Sequence, residues 1–305
     1  MKSFYVFSLR DAANAYEKAL QSAGYIRSQN VNDADFILTD KEPTSAIHRE
    51  KFIKLIAGRP VFYFPHTPYA YWLWDGKLPM HTPICCNFVV GEGAVMGMKA
   101  YGYPYRVEKV GFPRCEVKPF KPTNGTNLLY APPRLMGAGW WWNQGEREAH
   151  LKAMRWIIEN IESFDNVTVN YSVSKELSNV TDFEGYSKVR LMDIGNSRRL
   201  GAKTAIKAFD GVDLVISCKT LGYLAVANGI PAILYGYEEG ETYRSDHYEL
   251  YRSHYEFPLK LHNMTIDDVL NVRAAENSSV EQWKRVNIGT SFDAAKFLSI
   301  VDEYL

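Results

Sequence analysis

Twice along the chain, short apolar runs alternate with stretches of helical periodicity, and that alternation leaves few folds open. In the first half the apolar runs are residues 3–7, 36–38, 61–64, 87–90 and 107–110. Between the first two, Ala12, Tyr16, Ala19, Leu20 and Ala23 recur on one helix face, and a second helical stretch falls near 45–57. The second half repeats the plan, with runs at 127–130, 167–170, 189–192, 214–217 and 231–235. One helix there carries Leu151, Met154, Ile158 and Ile161, and another carries Ala202, Ala205, Ile206 and Phe209. A β-α-β order of this kind specifies a mainly parallel sheet wrapped by helices.

The joint between the halves is equally plain. Residues 111–125 hold three prolines and two glycines, which is linker composition. The expected fold class is therefore α/β, with two doubly wound Rossmann-like domains facing across a cleft. Residues 1–120 form the first, 121–290 the second, and 291–305 a C-terminal helix that packs back on the first through Ala294, Phe297, Val301 and Tyr304. Ligands of such sheets sit at the carboxyl ends of the strands, so the expected site lies between the domains.

Composition excludes several classes. The chain of 305 residues has 35 basic and 35 acidic side chains, so a uniformly basic nucleic-acid coat is ruled out, although Arg and Lys gather across 106–121. No stretch approaches the roughly 18 consecutive apolar residues of a membrane helix. No signal-peptide pattern follows Met1, and the reading is a cytoplasmic protein. Adjacent Cys85 and Cys86, with distant Cys115 and Cys218, make no metal-ligand spacing. Asp33-Ala34-Asp35 has a metal-diphosphate pattern but precedes its strand, where a ligand-facing pair should follow one. The expected metal and cofactor requirement is none.

The stretch from Asp213 to Tyr235 carries the most chemistry. It reads as a buried strand, a small-polar turn from Ser217 through Lys219 to Thr220, a short helix ending at Gly229, and a second strand. Backbone N–H groups at that helix start, two hydroxyls and the Lys219 charge make an anion site. Arg134, after the first strand of the second half, suits bidentate contact with a phosphate, and Trp140, Trp141 and Trp142 offer faces for a sugar or base. His66 stands just past a central strand of the first half, where an imidazole can take a proton from a hydroxyl, with Asp75 as its orienting carboxylate. Glu238 and Glu239 follow the strand that ends at Tyr235, and Asp193 ends another.

These motifs resemble a known superfamily. Strand, small-polar turn, helix, then Gly229-Ile230-Pro231 and a strand is similar to the donor half of GT-B glycosyltransferases. Val110-Gly111-Phe112-Pro113-Arg114, followed by Leu128-Leu129-Tyr130-Ala131-Pro132-Pro133-Arg134, resembles a passage of CDP-glycerol glycerophosphotransferases. Residues 61–68 resemble their strand that ends in a functional histidine, here His66. The resemblance implies a transferase that moves a sugar or polyol phosphate from a nucleotide-activated donor to an acceptor hydroxyl. Arg134, Asp193, Ser217, Lys219, Thr220, Glu238 and Glu239 would hold the donor, and no metal would be needed. The acceptor could be a cell-envelope polymer, a small metabolite or a hydroxylated DNA base.

Two positions depart from the pattern. Leu224 stands where many GT-B enzymes hold the ribose with a glutamate, and Asn170-Tyr171-Ser172 stands where the glycerophosphotransferases place a histidine. A sugar-nucleotide epimerase of the same fold and a non-catalytic sugar-nucleotide-binding protein remain the alternatives.

Overall fold

The structure is a computed structural model that describes residues 2–7, 13–40, 46–56, 58–64, 84–100, 102–113, 123, 125–132, 144–171, 180–193, 209–217, 220–235, 257–274 and 277–305. These fall into two compact units, residues 2–113 with 285–305, and residues 123–235 with 257–284.

The first unit is a six-stranded sheet of β1 (Ser3–Phe7), β2 (Ile26–Arg27), β3 (Phe36–Thr39), β4 (Val61–Tyr63), β5 (Cys86–Val89) and β6 (Arg106–Lys109). The strand order is β2-β1-β3-β4-β5-β6 and every neighbouring pair is parallel. Helices α1 (Ala13–Ser22), α2 (Ala46–Ile56) and α3 (Glu92–Ala100) supply crossovers. Parallel strands covered on both faces read as unbroken apolar runs, which is why β3 through β5 show no alternation. Phe4, Phe36, Phe62 and Phe88 form one core with Tyr16 and Leu20 of α1, while Ile37, Val61 and Tyr63 face Phe52 and Ile56 of α2. Two expectations shift here. Ala23 lies beyond the end of α1 and is exposed, and β2 is a two-residue edge strand with both side chains exposed, so it carries no apolar signature. Asp35 works inside the fold, accepting hydrogen bonds from the Ser3 N–H and hydroxyl at the start of β1.

The end of the chain belongs to this unit. Helix α8 (Ala294–Asp302; α4 to α7 are given below) buries Phe297, Ile300 and Val301, with Phe297 edge-on to Tyr16 and Phe88 at 5.1 and 5.0 Å. Tyr304 follows the helix and donates its hydroxyl to the Cys85 carbonyl. Before α8, the chain pairs with the residues after β6. Phe112 N–H donates to Thr290 O and Asp293 N–H to Val110 O. The backbones come so close that a Cβ on Gly91 would lie 2.3 Å from the Asn287 carbonyl oxygen, and one on Gly111 would lie 2.2 Å from that of Ser291. Gly111 also holds a φ of +81°. Glu108 on β6 bridges Arg106 and Lys296 at 3.0 Å each, and Arg106 also meets Glu303. Burial pushes the Glu108 carboxyl up, but Lys296 and Arg106 hold it below the usual carboxylate value.

The second unit has five parallel strands, β7 (Asn127–Ala131), β8 (Asn166–Tyr171), β9 (Val189–Asp193), β10 (Leu214–Ser217) and β11 (Ala232–Leu234), in the order β11-β10-β7-β8-β9. Its helices include α4 (Gln144–Glu159), α5 (Thr220–Ala227), α6 (Ile266–Ala274) and α7 (Ser278–Asn287), and the border with the first unit falls inside α7. One face of the sheet packs Leu128, Tyr130, Val167, Val169, Leu214 and Ile216 against α4. The inward residues of α4 include His150, Ala153, Met154 and Ile157, with Leu151 and Ile158 at the margins and Ile161 just past the helix. Of the expected face, Met154 and Ile161 are in the core, while Leu151 and Ile158 are only partly buried against it. Ala12, Ala202, Ala205 and Ile206 lie outside the described residues.

A buried carboxylate ties the start of this sheet together. Asp213, fully buried before β10, accepts four hydrogen bonds: from Thr123 N–H and hydroxyl at 2.6 Å each, and from Asn127 N–H and side-chain amide at 3.0 Å each. Burial raises its pKa, but those donors outweigh it and hold the carboxyl below its ordinary value. Among the described residues, no helix is long and apolar enough to cross a membrane.

Candidate functional site

In an open parallel sheet, a crevice opens at the carboxyl edge where the strand order reverses, because successive crossovers there leave to opposite faces. In the second unit that reversal falls between β7 and β10. In the first it falls between β1 and β3.

At the edge of the second unit, Ser217 of β10 lies beside Ala131 of β7. Tyr130 pairs with Val169, so the next step sets Ala131 beside Asn170 of β8. Ser217, Ala131 and Asn170 thus form one row across the sheet, on the face opposite the Val167 and Val169 side chains. All are buried, Ser217 at 3% and Asn170 at 2% exposure. Helix α5 begins at Thr220, three residues after β10, and presents its N-terminal N–H groups at this edge. Gly222 lets α5 approach closely, since a Cβ there would lie 2.4 Å from Leu234 Cδ2 and 3.6 Å from Ser217 Cβ. Leu224 is buried in the core and α5 ends before Gly229, whose φ of +78° suits glycine.

The other face of the same edge is braced by a buried histidine. His150 of α4 is fully buried with Nδ1 2.8 Å from the Tyr130 hydroxyl and 3.4 Å from that of Tyr235. The Tyr235 hydroxyl donates to the Ala131 carbonyl at 3.3 Å. Three side chains thereby tie the ends of β7 and β11 to α4, fixing where the chain leaves the sheet at residues 132 and 235. In the first unit, the buried Asp40 follows β3 at the reversal, and the Thr39 hydroxyl donates to the Phe7 carbonyl.

Of the residues singled out in the sequence, Ser217 stands at this edge, and the backbones of Thr220 and Asp193 open α5 and end β9 there. His66, Asp75, Arg134, Trp140, Trp141, Trp142, Lys219, Glu238 and Glu239 lie outside the described residues. Within the basic stretch at 106–121, Arg106 is engaged by Glu108 and Glu303, and Lys109 lies 3.7 Å from Glu92. Cys86 is buried in β5, and burial pushes its thiol up to about 12, which makes it unreactive.

Sequence reasoning passes over Asp40, His150 and the buried state of Asn170. No periodicity marks them, since Asp40 comes just after an apolar run, His150 stands among charged helix residues, and Asn170 reads as a break near the end of its strand. Only Asn170 has a signal, as a position where a family histidine is replaced.

No family model matches the chain, and no curated protein matches it in sequence. Solved structures do match its fold. The structure of S. aureus MnaA with UDP aligns over 100% of this chain and 97% of its own at a TM-score of 0.59 and 10% identity. The wall teichoic acid polymerase TagF aligns over 99% and 89% at 0.56 and 9% identity. Acinetobacter baumannii MurG aligns over 99% and 98% at 0.50 and 10% identity. The chain has the fold of the GT-B superfamily, an α/β architecture of two Rossmann-like domains.

Proposed function

We propose that the chain is a glycosyltransferase that moves a sugar or polyol phosphate from a nucleotide-activated donor to an acceptor hydroxyl. The observation that carries this reading is the pair of buried polar side chains, Ser217 and Asn170, on either side of Ala131 at the strand-order reversal of the second unit, beside the start of α5, within a GT-B fold. In this reading the donor diphosphate lies against the N-terminus of α5, with Ser217, Lys219, Thr220 and Arg134 as its partners and Asp193, Glu238 and Glu239 around the rest of the donor. The tryptophans Trp140 to Trp142 stack on its ring.

His66 removes the proton of the acceptor hydroxyl, with Asp75 orienting the imidazole. The oxygen then forms a bond to the activated carbon, or to phosphorus for a polyol donor. The bond to the leaving phosphate oxygen breaks and its electron pair stays on the nucleotide. Helix N–H groups and cationic side chains stabilise that developing charge.

The experiment is a thermal-shift screen against UDP, CDP, GDP and their sugar or polyol conjugates. A true donor at 100 times its dissociation constant adds about 2.7 kcal/mol of stability. One responding nucleotide family supports the reading and names the donor class, and a folded sample that responds to none removes it. The apolar Leu224 favours a second reading, a protein that binds the sugar nucleotide without turnover. A His66→Ala variant that binds donor but loses the wild-type turnover excludes that second reading. For a DNA acceptor, acceptor binding would weaken steeply with salt.

A further inference from the structure

We infer that Asn170 is a specificity-determining contact for the neutral, hydroxyl- or amide-bearing part of the donor, an inference that rests on the donor reading above. An asparagine side chain brings two N–H donors and an acceptor oxygen. Asn170 is only 2% exposed, yet among the described residues neither its Oδ1 nor its Nδ2 meets a hydrogen-bond partner. Buried polar groups are normally satisfied, and Asp213 in the same unit, with four donors around its carboxylate, illustrates the rule. A carboxamide kept in this state weakens the folded protein for no internal gain, which is the mark of a group reserved for something outside the chain.

Its place says what that something is. Asn170 shares a row and a face with Ser217, with only the methyl of Ala131 between them. At about 4.8 Å per strand, the two Cα atoms stand about 9.6 Å apart along the sheet edge. A diphosphate held at the α5 N-terminus beside Ser217 therefore brings a different part of the donor over Asn170. Phosphate oxygens only accept hydrogen bonds, so a phosphate at Asn170 would leave Oδ1 unmet. A hydroxyl or a secondary amide both donates and accepts, and one such group can satisfy Oδ1 and Nδ2 together. Both the nucleoside and the transferred group carry that chemistry. The same burial removes Asn170 as a glycosylation acceptor in the folded chain, although Asn170-Tyr171-Ser172 has the required pattern.

The test compares wild type with Asn170→Leu and Asn170→Ala, by melting and by calorimetric titration with UDP, CDP, GDP, UDP-N-acetylglucosamine, CDP-glycerol and GDP-mannose. Without ligand, Asn170→Leu is expected to melt above wild type, because an unmet polar group is replaced by an apolar one of similar size. Both variants are expected to lose tenfold or more in affinity for whichever nucleotide family wild type binds. A loss already complete with the free diphosphate assigns the contact to the nucleoside. A loss confined to the conjugate assigns it to the transferred group. If wild type binds and both variants keep its affinity, the role of Asn170 is overturned while the donor reading stands. If wild type binds none of the six, both fall. Should Asn170→Leu not fold, Asn170→Ala gives the same affinity readout.

Discussion

Replacing Asp213 by asparagine probes how the second unit is held at its amino edge. The carboxylate accepts four hydrogen bonds, and bonds to a charged acceptor contribute about 1.5–3 kcal/mol each against about 1 for neutral ones. With its oxygen in the Oδ2 position, the carboxamide of Asp213→Asn would keep the three bonds from the Thr123 hydroxyl and the two Asn127 donors at neutral strength. Its NH2 group would then face the Thr123 N–H, donor against donor, where Oδ1 now accepts at 2.6 Å. Allowing for relaxation, the expected loss is about 3 kcal/mol, in the range for breaking a buried polar network. The pH dependence follows from the depressed carboxyl. Between the folded pKa and the ordinary value of 3.8, the unfolded chain binds more protons than the folded one, so stability rises with pH there. The Asp213 contribution is thus complete above the ordinary value and lost as pH falls through the folded one. Hydrogen exchange of peptides covering 125–131 and 213–217 measures this locally, with 61–64 in the first unit as an internal control. A difference below about 0.5 kcal/mol, the ordinary scatter of surface changes, would refute the reasoning. So would a difference that stays constant down through acid pH.

Two further outcomes concern the first unit. Gly91→Ala and Gly111→Ala each force a methyl against a carbonyl oxygen of the returning chain, and overpacking of this kind costs about 1–3 kcal/mol, with about 1 more at the positive φ of Gly111. Faster exchange over residues 290–301, with the second unit unchanged, is the expected result. Glu108→Gln removes the charge that joins β6 to Lys296 of α8 and should cost about 1 kcal/mol at neutral pH. Because the Glu108 carboxyl is depressed in the folded chain, its denaturation midpoint should converge with wild type as pH falls through the folded value.

Much of this architecture is legible in the sequence because covered parallel strands have no polar face to interrupt them. Phe36-Ile37-Leu38 and Leu214-Val215-Ile216 announce themselves as runs, and the Pro-rich passage at 111–125 separates two such series. Strand order is a different matter. β2 enters as an edge strand on two exposed residues, Ile26 and Arg27, and the reversals beside β1 and β7 arise from crossover packing that no local pattern records. The polar core is equally hidden. Asp213 can be quoted from the sequence as the start of a strand, but its role depends on Thr123, 90 residues away. His150 sits in a helix among Glu148, Lys152 and Arg155, surroundings that suggest a solvated face, yet the helix turns it inward to Tyr130 of β7 and Tyr235 just past β11. Ser217 stands out because hydroxyls after a strand and before a helix form a local signature. Asn170 has no such local signature: it stands out only as a position where a family histidine is replaced, and its burial without a partner among the described residues shows only in the fold.

The return of the chain across Gly91 and Gly111 also sets an order of events during synthesis. The first six strands leave the ribosome early, but the core face over Phe4, Phe62 and Phe88 is closed by Phe297, Ile300 and Val301, which are translated after the second unit is complete. Throughout that interval the first unit is a nascent sheet with an open aromatic face, the kind of surface that chaperones hold and that aggregates if they do not. A stop introduced after Lys284 should therefore leave a folded second unit attached to a sticky first one, so a late truncation falls on the unit whose strands are made earlier.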